Sequence, residues 1–178
     1  KAAYIATEIQ LSTKSNMIGY YWRQALEDYF SQNDLHFDVV ILTGSPFSYF
    51  DFATFAKRTW RSRVILDYRD PFSANPLIKL DDEKKILLEY LEKGFNYQAD
   101  ALTSVNEFCR KLLVRPASTP SFVIPNGYDE RVVTPCHTET RGTHFVSLVH
   151  CGRMTSYRDP EPLVRACAAM RTPLLQIG

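Results

Sequence analysis

Apolar and polar positions alternate between two periods along this chain. In residues 16–30, NMIGYYWRQALEDYF, the residues Ile18, Tyr21, Trp22, Ala25, Leu26, Tyr29 and Phe30 recur at spacings of three and four. That spacing predicts a helix with one apolar stripe, capped by Ser15 or Asn16. The polar stretch SQNDLH reads as a turn. FDVVILTG (37–44) is a short, continuous, β-branched run and reads as a strand buried on both faces, the kind found in parallel sheets. PFSYFDFATFAKRTW (46–60) predicts a helix, with Pro46 at its start and Lys57 and Arg58 near its end. RVILDYRD (63–70) is a second apolar strand, ending in a charged cluster before Pro71, and residues 72–80 read as irregular, with Pro76 as a breaker.

DDEKKILLEYLEKGFNYQA (81–99) is the strongest helical pattern. Asp81 and Asp82 favour its N-terminus, and Ile86, Leu87, Tyr90, Leu91 and Phe95 form the expected buried stripe. DALTSV (100–105) predicts a strand, EFCRKLLV (107–114) a short helix, and SFVIPNG (121–127) a strand stopped by Pro125-Asn126-Gly127. Residues 128–143 are polar and read as a connector. THFVSLVHCG (143–152) predicts a buried strand, DPEPLVRACAAM (159–170) a helix and TPLLQIG (172–178) a last strand.

Strands that alternate with helices make parallel β-α-β units with right-handed crossovers. The expected fold class is therefore α/β, a Rossmann-like parallel sheet flanked by helices. Ligands of such sheets bind at the carboxyl ends of the strands. Four loops qualify: Gly44-Ser45-Pro46, Asp67-Tyr68-Arg69-Asp70, Pro125-Asn126-Gly127, and Gly152-Arg153 through Arg158.

Composition narrows the function classes. The chain has 178 residues, 45% hydrophobic and 23% charged, which is ordinary globular usage and argues against disorder. Lys and Arg number 21 against 20 Asp and Glu, a net charge of +1, so no nucleic-acid partner is expected. Cys109, Cys136, Cys151 and Cys167 form no C-x-x-C pair and read as free thiols in a reducing compartment. His36, His137, His144 and His150 show no helical ligand spacing, so no metal site is expected. No apolar run reaches the length of about 18 residues that marks a membrane span. The opening KAAYIATEIQ reads as no signal peptide and begins without Met, so a trimmed start is expected.

The charged loops carry the candidate chemistry. Arg69 and Asp70 follow a strand end, where an Arg grips an anion through paired hydrogen bonds; the alternative is a local ion network of Asp67, Arg69 and Asp70. Gly152-Arg153, with Arg158 beside a helix start, offers two cations, free N–H groups and a close backbone approach, the parts of a diphosphate grip. The alternative is a pair of solvated loop charges. Asn126-Gly127 alone is a turn pair. Lys57, Arg58, Arg61 and Arg63 read either as helix-end charges in water or as a patch for a phosphate-rich surface. No G-x-S-x-G, Walker loop or G-x-G-x-x-G occurs.

Five segments in order resemble the retaining GT-B glycosyltransferases often called family 4. FDVVILTGSPFSYF is similar to the segment in which Asp and a hydrophobic strand run into Ser-Pro. VILDYRDPF resembles the strand ending in Asp-x-Arg-Asp. ADALTSVNEFCRKLL resembles the Ala-Asp that leads into a Val-Ser or Thr-Ser strand end. FVIPNGYDE is very similar to the Val-Ile-Pro-Asn-Gly-x-Asp signature. CGRMTSYRDPEPLVRA resembles the Gly-Arg loop and helix that open the nucleotide-sugar domain.

The resemblance implies two Rossmann-like domains of GT-B type, residues 1–134 on the acceptor side and residues 135–178 beginning the nucleotide-sugar domain. It implies transfer of a sugar from a nucleotide-sugar to a glycan or lipid-linked acceptor, retaining and metal-independent, as in polysaccharide biosynthesis. Donor-binding residues are then Gly152, Arg153 and Arg158, the last standing where the family more often has Lys. Ser45, Arg69, Asp70 and Asn126 face the cleft or acceptor side. No cofactor is implied beyond the nucleotide-sugar substrate. The implied location is cytoplasmic, with room for peripheral membrane contact through a lipid-linked acceptor. The first β-α unit with its Gly-rich loop and the paired-glutamate motif are not in the sequence, so the chain is expected to be the central part of a longer enzyme. Two other readings stay open: an inactive α/β binding or scaffold domain, and a GT-B type sugar-nucleotide epimerase, for which His150 is the nearby candidate.

Overall fold

The computed structural model describes residues 14–44, 46–77, 81–129, 148–151 and 159–177. The chain divides into two compact units, residues 1–127 and 128–178. In the first, helix α1 (Lys14–Gln32) precedes strand β1 (Val39–Gly44). A helical stretch leads to β2 (Arg63–Tyr68); α3 (Asp82–Tyr97) leads to β3 (Ala101–Ser104); α4 (Glu107–Leu112) leads to β4 (Ser121–Val123). The four strands lie in chain order, every pair parallel. In the second unit, β5 (Leu148–Cys151), α5 (Glu161–Ala169) and β6 (Leu174–Ile177) form a β-α-β unit with a parallel pair. The class is α/β, and the first unit is a Rossmann-like parallel sheet flanked by helices.

The helical stretch after β1 is not one regular helix. It runs as a 3-10 turn (Phe47–Asp51), a single α turn α2 (Phe52–Phe55) and a π turn (Ala56–Trp60). Its aromatic residues bury themselves in several directions at once. Phe47 stacks on Phe72 with ring centroids 4.6 Å apart, Phe50 meets Tyr68 edge-on at 4.9 Å, and Trp60 meets Phe30 at 5.0 Å. A uniform helix shows one stripe to the core, so the changing pitch is what lets these rings all pack. Arg61, at φ 57°, ends the stretch in the left-handed region. Gly44 accommodates the crowding: a Cβ there would lie 2.6 Å from the Phe47 ring.

The register places Leu42, Leu66 and Leu102 side by side on one face of the sheet, next to the aligned pair Val40 and Val64. Against that face pack Phe47, Phe50, Leu88, Leu91 and Phe95. The other face is different. Val39 and Ile41 are exposed there, at 53% and 62%, so β1 is buried on one face rather than the expected two. The continuous apolar run misleads because, among the described residues, the core packs against only one face of β1. The run 143–152 departs similarly: of its described part, Leu148 and Val149 are exposed and His150 is half-buried.

Two helices present faces other than those expected. In α3 the buried residues are Leu88, Leu91, Glu92, Phe95 and Asn96, while Ile86 and Tyr90 face solvent. Asp81 caps this helix as predicted, accepting from the Lys84 N–H at 2.9 Å. In α1, Leu26 and Phe30 pack on the core, and Tyr21, Trp22 and Tyr29 are exposed. Arg23 is buried instead, paired with Asp51 and, at 3.4 Å, with Glu27.

At the amino end of the sheet, Asp100 closes the fold. Its carboxylate accepts from Lys57 Nζ at 2.7 Å, from the Val64 N–H at 2.7 Å and from Arg63 Nη1 at 3.3 Å. Its own N–H donates to the Val64 carbonyl at 2.8 Å. Lys57 and Arg63 are thus both tied to Asp100. Partial burial raises the Asp100 carboxyl, but the Lys57 ammonium, the Val64 N–H and Arg63 outweigh it and hold the group below the usual aspartate value. A depressed acid stabilises the fold above its unfolded value, and that contribution fades as pH falls through the folded value. Asp100→Asn is therefore expected to lower unfolding free energy by about 1–2 kcal/mol at pH 7. Urea unfolding at descending pH checks this: the gap between variant and parent should narrow once pH drops below the ordinary aspartate range.

Candidate functional site

The carboxyl ends of β2, β3 and β4 lie together, and the sequence explains which side chains meet there. Alternation along β2 sends Leu66 and Tyr68 into the core and Asp67 to the opposite face. Asp67 is in register with Thr103 on β3, and its Oδ1 accepts from Thr103 Oγ1 at 2.6 Å. β4 keeps pairing one residue past its end, where the Ile124 N–H donates to the Ser104 carbonyl at 2.9 Å. Pro125 has no N–H and stops the ladder. Asn126 then meets the loop after β2: Arg69 Nη2 donates to Asn126 Oδ1 at 2.5 Å, across the end of β3.

Asp67, Arg69, Ile124, Pro125, Asn126 and Gly127 line a cavity of about 270 Å³. The expected site residues Arg69 and Asn126 thus come together, although 57 positions separate them. Asp70 is exposed and does not line this cavity. Among the described residues no ion pair joins Arg69 to Asp67 or Asp70, so the local ion network weighed from sequence does not form; Thr103 and Asn126 take those roles. Ser45, Gly152, Arg153 and Arg158 lie outside the described residues. So do Cys136, His137 and His144.

A guanidinium carries five N–H donors, and Asn126 engages one side of it. Beside it, the Asp67 carboxylate has acceptor capacity beyond the one bond from Thr103. A cation and a carboxylate within one small cavity match a polyhydroxyl group, which both donates and accepts hydrogen bonds.

The loop that carries Arg69 is pinned at both ends by α3. At one end the Tyr68 hydroxyl donates to Asn96 Oδ1 at 2.8 Å. At the other, Glu92 Oε2 accepts from the Ser73 N–H at 3.0 Å and from Ser73 Oγ at 2.5 Å. Glu92 Oε1 accepts from the Val114 N–H at 3.0 Å, and Asn96 Nδ2 donates to the Val114 carbonyl at 2.8 Å. Glu92, Asn96 and Tyr68 are fully buried. Burial pushes the Tyr68 phenol well above its ordinary range, and the Glu92 carboxylate adds to that. Burial also raises Glu92, against the pull of its bonds from Ser73 and Val114. Sequence reasoning missed this pair; the available signal was two polar residues four apart inside an apolar helical stripe.

No family model, curated protein or solved structure matches the chain. The site's geometry therefore carries the functional argument. Among the described residues no helix is long and apolar enough to cross a membrane.

The Glu92 bonds give a direct test of the scaffold. Glu92→Leu leaves the buried Ser73 N–H and the half-buried Val114 N–H without acceptors, at about 1–3 kcal/mol for the first and less for the second. Glu92→Gln keeps one oxygen and should fall between that variant and the parent in thermal unfolding. Because the native carboxyl is raised, the native state holds more protons than the unfolded state above the ordinary glutamate value. Parent stability should thus decline as pH rises through that window and then level, a slope the Gln variant lacks.

Proposed function

We propose that this protein is a glycosyltransferase of GT-B type, moving a sugar from a nucleotide-sugar donor to a glycan or lipid-linked acceptor. The observation that carries the reading is the meeting of Asp67, Arg69 and Asn126 in one cavity at the carboxyl edge of a parallel sheet. That edge is where such sheets bind their ligands. The order of the five resembling segments supports it too, since two of them, VILDYRDPF and FVIPNGYDE, supply this cavity.

In this reading Arg69 and Asn126 hold acceptor hydroxyls, and Asp67 accepts from one of them. Gly152, Arg153 and Arg158 receive the donor diphosphate. The leaving nucleoside diphosphate gains negative charge as the glycosidic bond breaks, and fixed cations aimed at that charge lower the barrier. The chain contributes cationic side chains to that task, and the nucleotide-sugar is substrate rather than cofactor.

The test uses the protein expressed from its full gene, incubated with a panel of uridine- and guanosine-diphosphate sugars. Release of nucleoside diphosphate is the readout. Arg153→Ala and Arg69→Ala should each lower turnover by about 100-fold, the first mainly in donor use and the second mainly in acceptor use. Lys84→Ala serves as a control, because among the described residues Lys84 pairs with its helical neighbour Asp81 on an exposed surface. Absence of any nucleotide-sugar turnover, or turnover indifferent to both arginines, would sink the reading.

A further inference from the structure

A second cavity, away from the carboxyl-edge site, lies between the 3-10 and α2 segment and α3. Its volume is about 460 Å³, within the range of small-ligand pockets. Its floor is apolar: Phe50, Leu91 and Phe95 are buried there. Its rim is built by α3. Tyr90, Gly94 and Tyr97 fall four and three positions apart and so share one helical face. Tyr90 and Tyr97 are exposed at 73% and 63%. Gly94 between them has no side chain, so the groove stays open between the two rings.

Nothing in the helix packing requires that glycine. A Cβ at Gly94 would meet no atom within 4 Å, and glycine weakens a helix interior relative to alanine. What Gly94 does is keep a trough open between two phenol rings. The polar groups at the groove are Asp51, Thr54, Lys93 and Gln98. One carboxylate and one ammonium leave the lining without net formal charge; Arg23, which pairs with Asp51, is buried and does not line the groove. A phosphate-bearing ligand needs a surplus of cations, which this lining lacks. A purely apolar ligand would leave these polar groups without partners.

We propose that this groove binds an uncharged saccharide, with sugar rings seated between Tyr90 and Tyr97 over Gly94. A sugar ring shows an apolar C–H face and a rim of hydroxyls. Tyrosine matches both with a rigid ring and a polar tip, at low entropic cost. Thr54, Gln98 and Asp51 then serve the hydroxyls. The proposal stands apart from the nucleotide-sugar reading, since it uses none of the residues of the carboxyl-edge cavity.

The test is an NMR titration of the nitrogen-15-labelled 178-residue chain with maltotriose and with cellotriose, and with inorganic phosphate as the anionic comparison. The amides of Thr54, Gly94 and Gln98 should shift saturably with at least one trisaccharide and stay still with phosphate. Gly94→Phe fills the trough and should weaken binding at least tenfold while leaving the melting temperature equal or higher. Tyr97→Ala removes an exposed ring and should weaken binding similarly, so the result does not hang on one variant. Silence with both trisaccharides, equal shifts with phosphate, or full binding by both variants would overturn the proposal. Nucleotide-sugar turnover is measured separately. Its absence alongside groove binding refutes only the transferase reading, and its presence beside a silent groove refutes only this one.

Discussion

The hydrogen bonds of Glu92 and Asn96, on the inward face of α3, hold the loops of the first unit in place. Both side chains are fully buried, and a buried polar group without a partner is costly. The surrounding backbone therefore has to come to them. Ser73 comes from the loop after β2, Val114 from the segment that leads toward β4, and Tyr68 from the end of β2 itself. One helical face thus fixes two chain segments that are remote in sequence. The mutual placement of the β2 loop and the β4 end, where Arg69 meets Asn126, rests on that face.

The same choice of face has a consequence on the outside. An α-helix has one inward arc, and placing Leu88, Leu91, Glu92, Phe95 and Asn96 on it turns Ile86, Tyr90 and Tyr97 toward solvent. Of the apolar stripe expected from sequence, Leu91 and Phe95 are buried and Leu87 is half-buried, while Ile86 and Tyr90 lie outside. Two aromatic rings remain outside, on either side of a glycine, beside the buried rings of Phe50 and Phe95. The groove is a by-product of how the polar anchors orient the helix, and its lining is mixed for that reason.

Much of the fold was legible from periodicity. The strands Val39–Gly44, Arg63–Tyr68 and Ala101–Ser104 fall inside the apolar runs that predict them, and the Asp81 cap starts α3 where expected. What the pattern hid was of two kinds. Burial on one face or two is decided by which neighbours a strand acquires, and the run Val39–Leu42 has the same composition either way. The second kind is polar residues with buried partners: Glu92 looks like an ordinary helical surface charge until Ser73 and Val114 are placed beside it. For the site, Arg69 and Asn126 were nameable as strand-end residues. Their contact was not, because it crosses a whole β-α unit. Thr103 was unremarkable in sequence, since only register sets it opposite Asp67.

The carboxyl-edge cavity also depends on what β3 does. Only Val105 and Asn106 separate Ser104 from the first residue of α4, and the Asn106 side chain caps that helix by accepting from the Cys109 N–H at 2.8 Å. A connection this tight turns the chain away at once and leaves the space above β3 open. The longer exits of β2 and β4 lean over that space from either side and meet through Arg69 and Asn126. At the other end of the sheet, Asp100 ties Lys57, Arg63 and Val64 together. Asp67 and Arg69 keep hydrogen-bonding capacity to spare at the carboxyl end, where the short β3 connection leaves space. That difference between the two ends is why the proposed acceptor site is placed at the carboxyl edge.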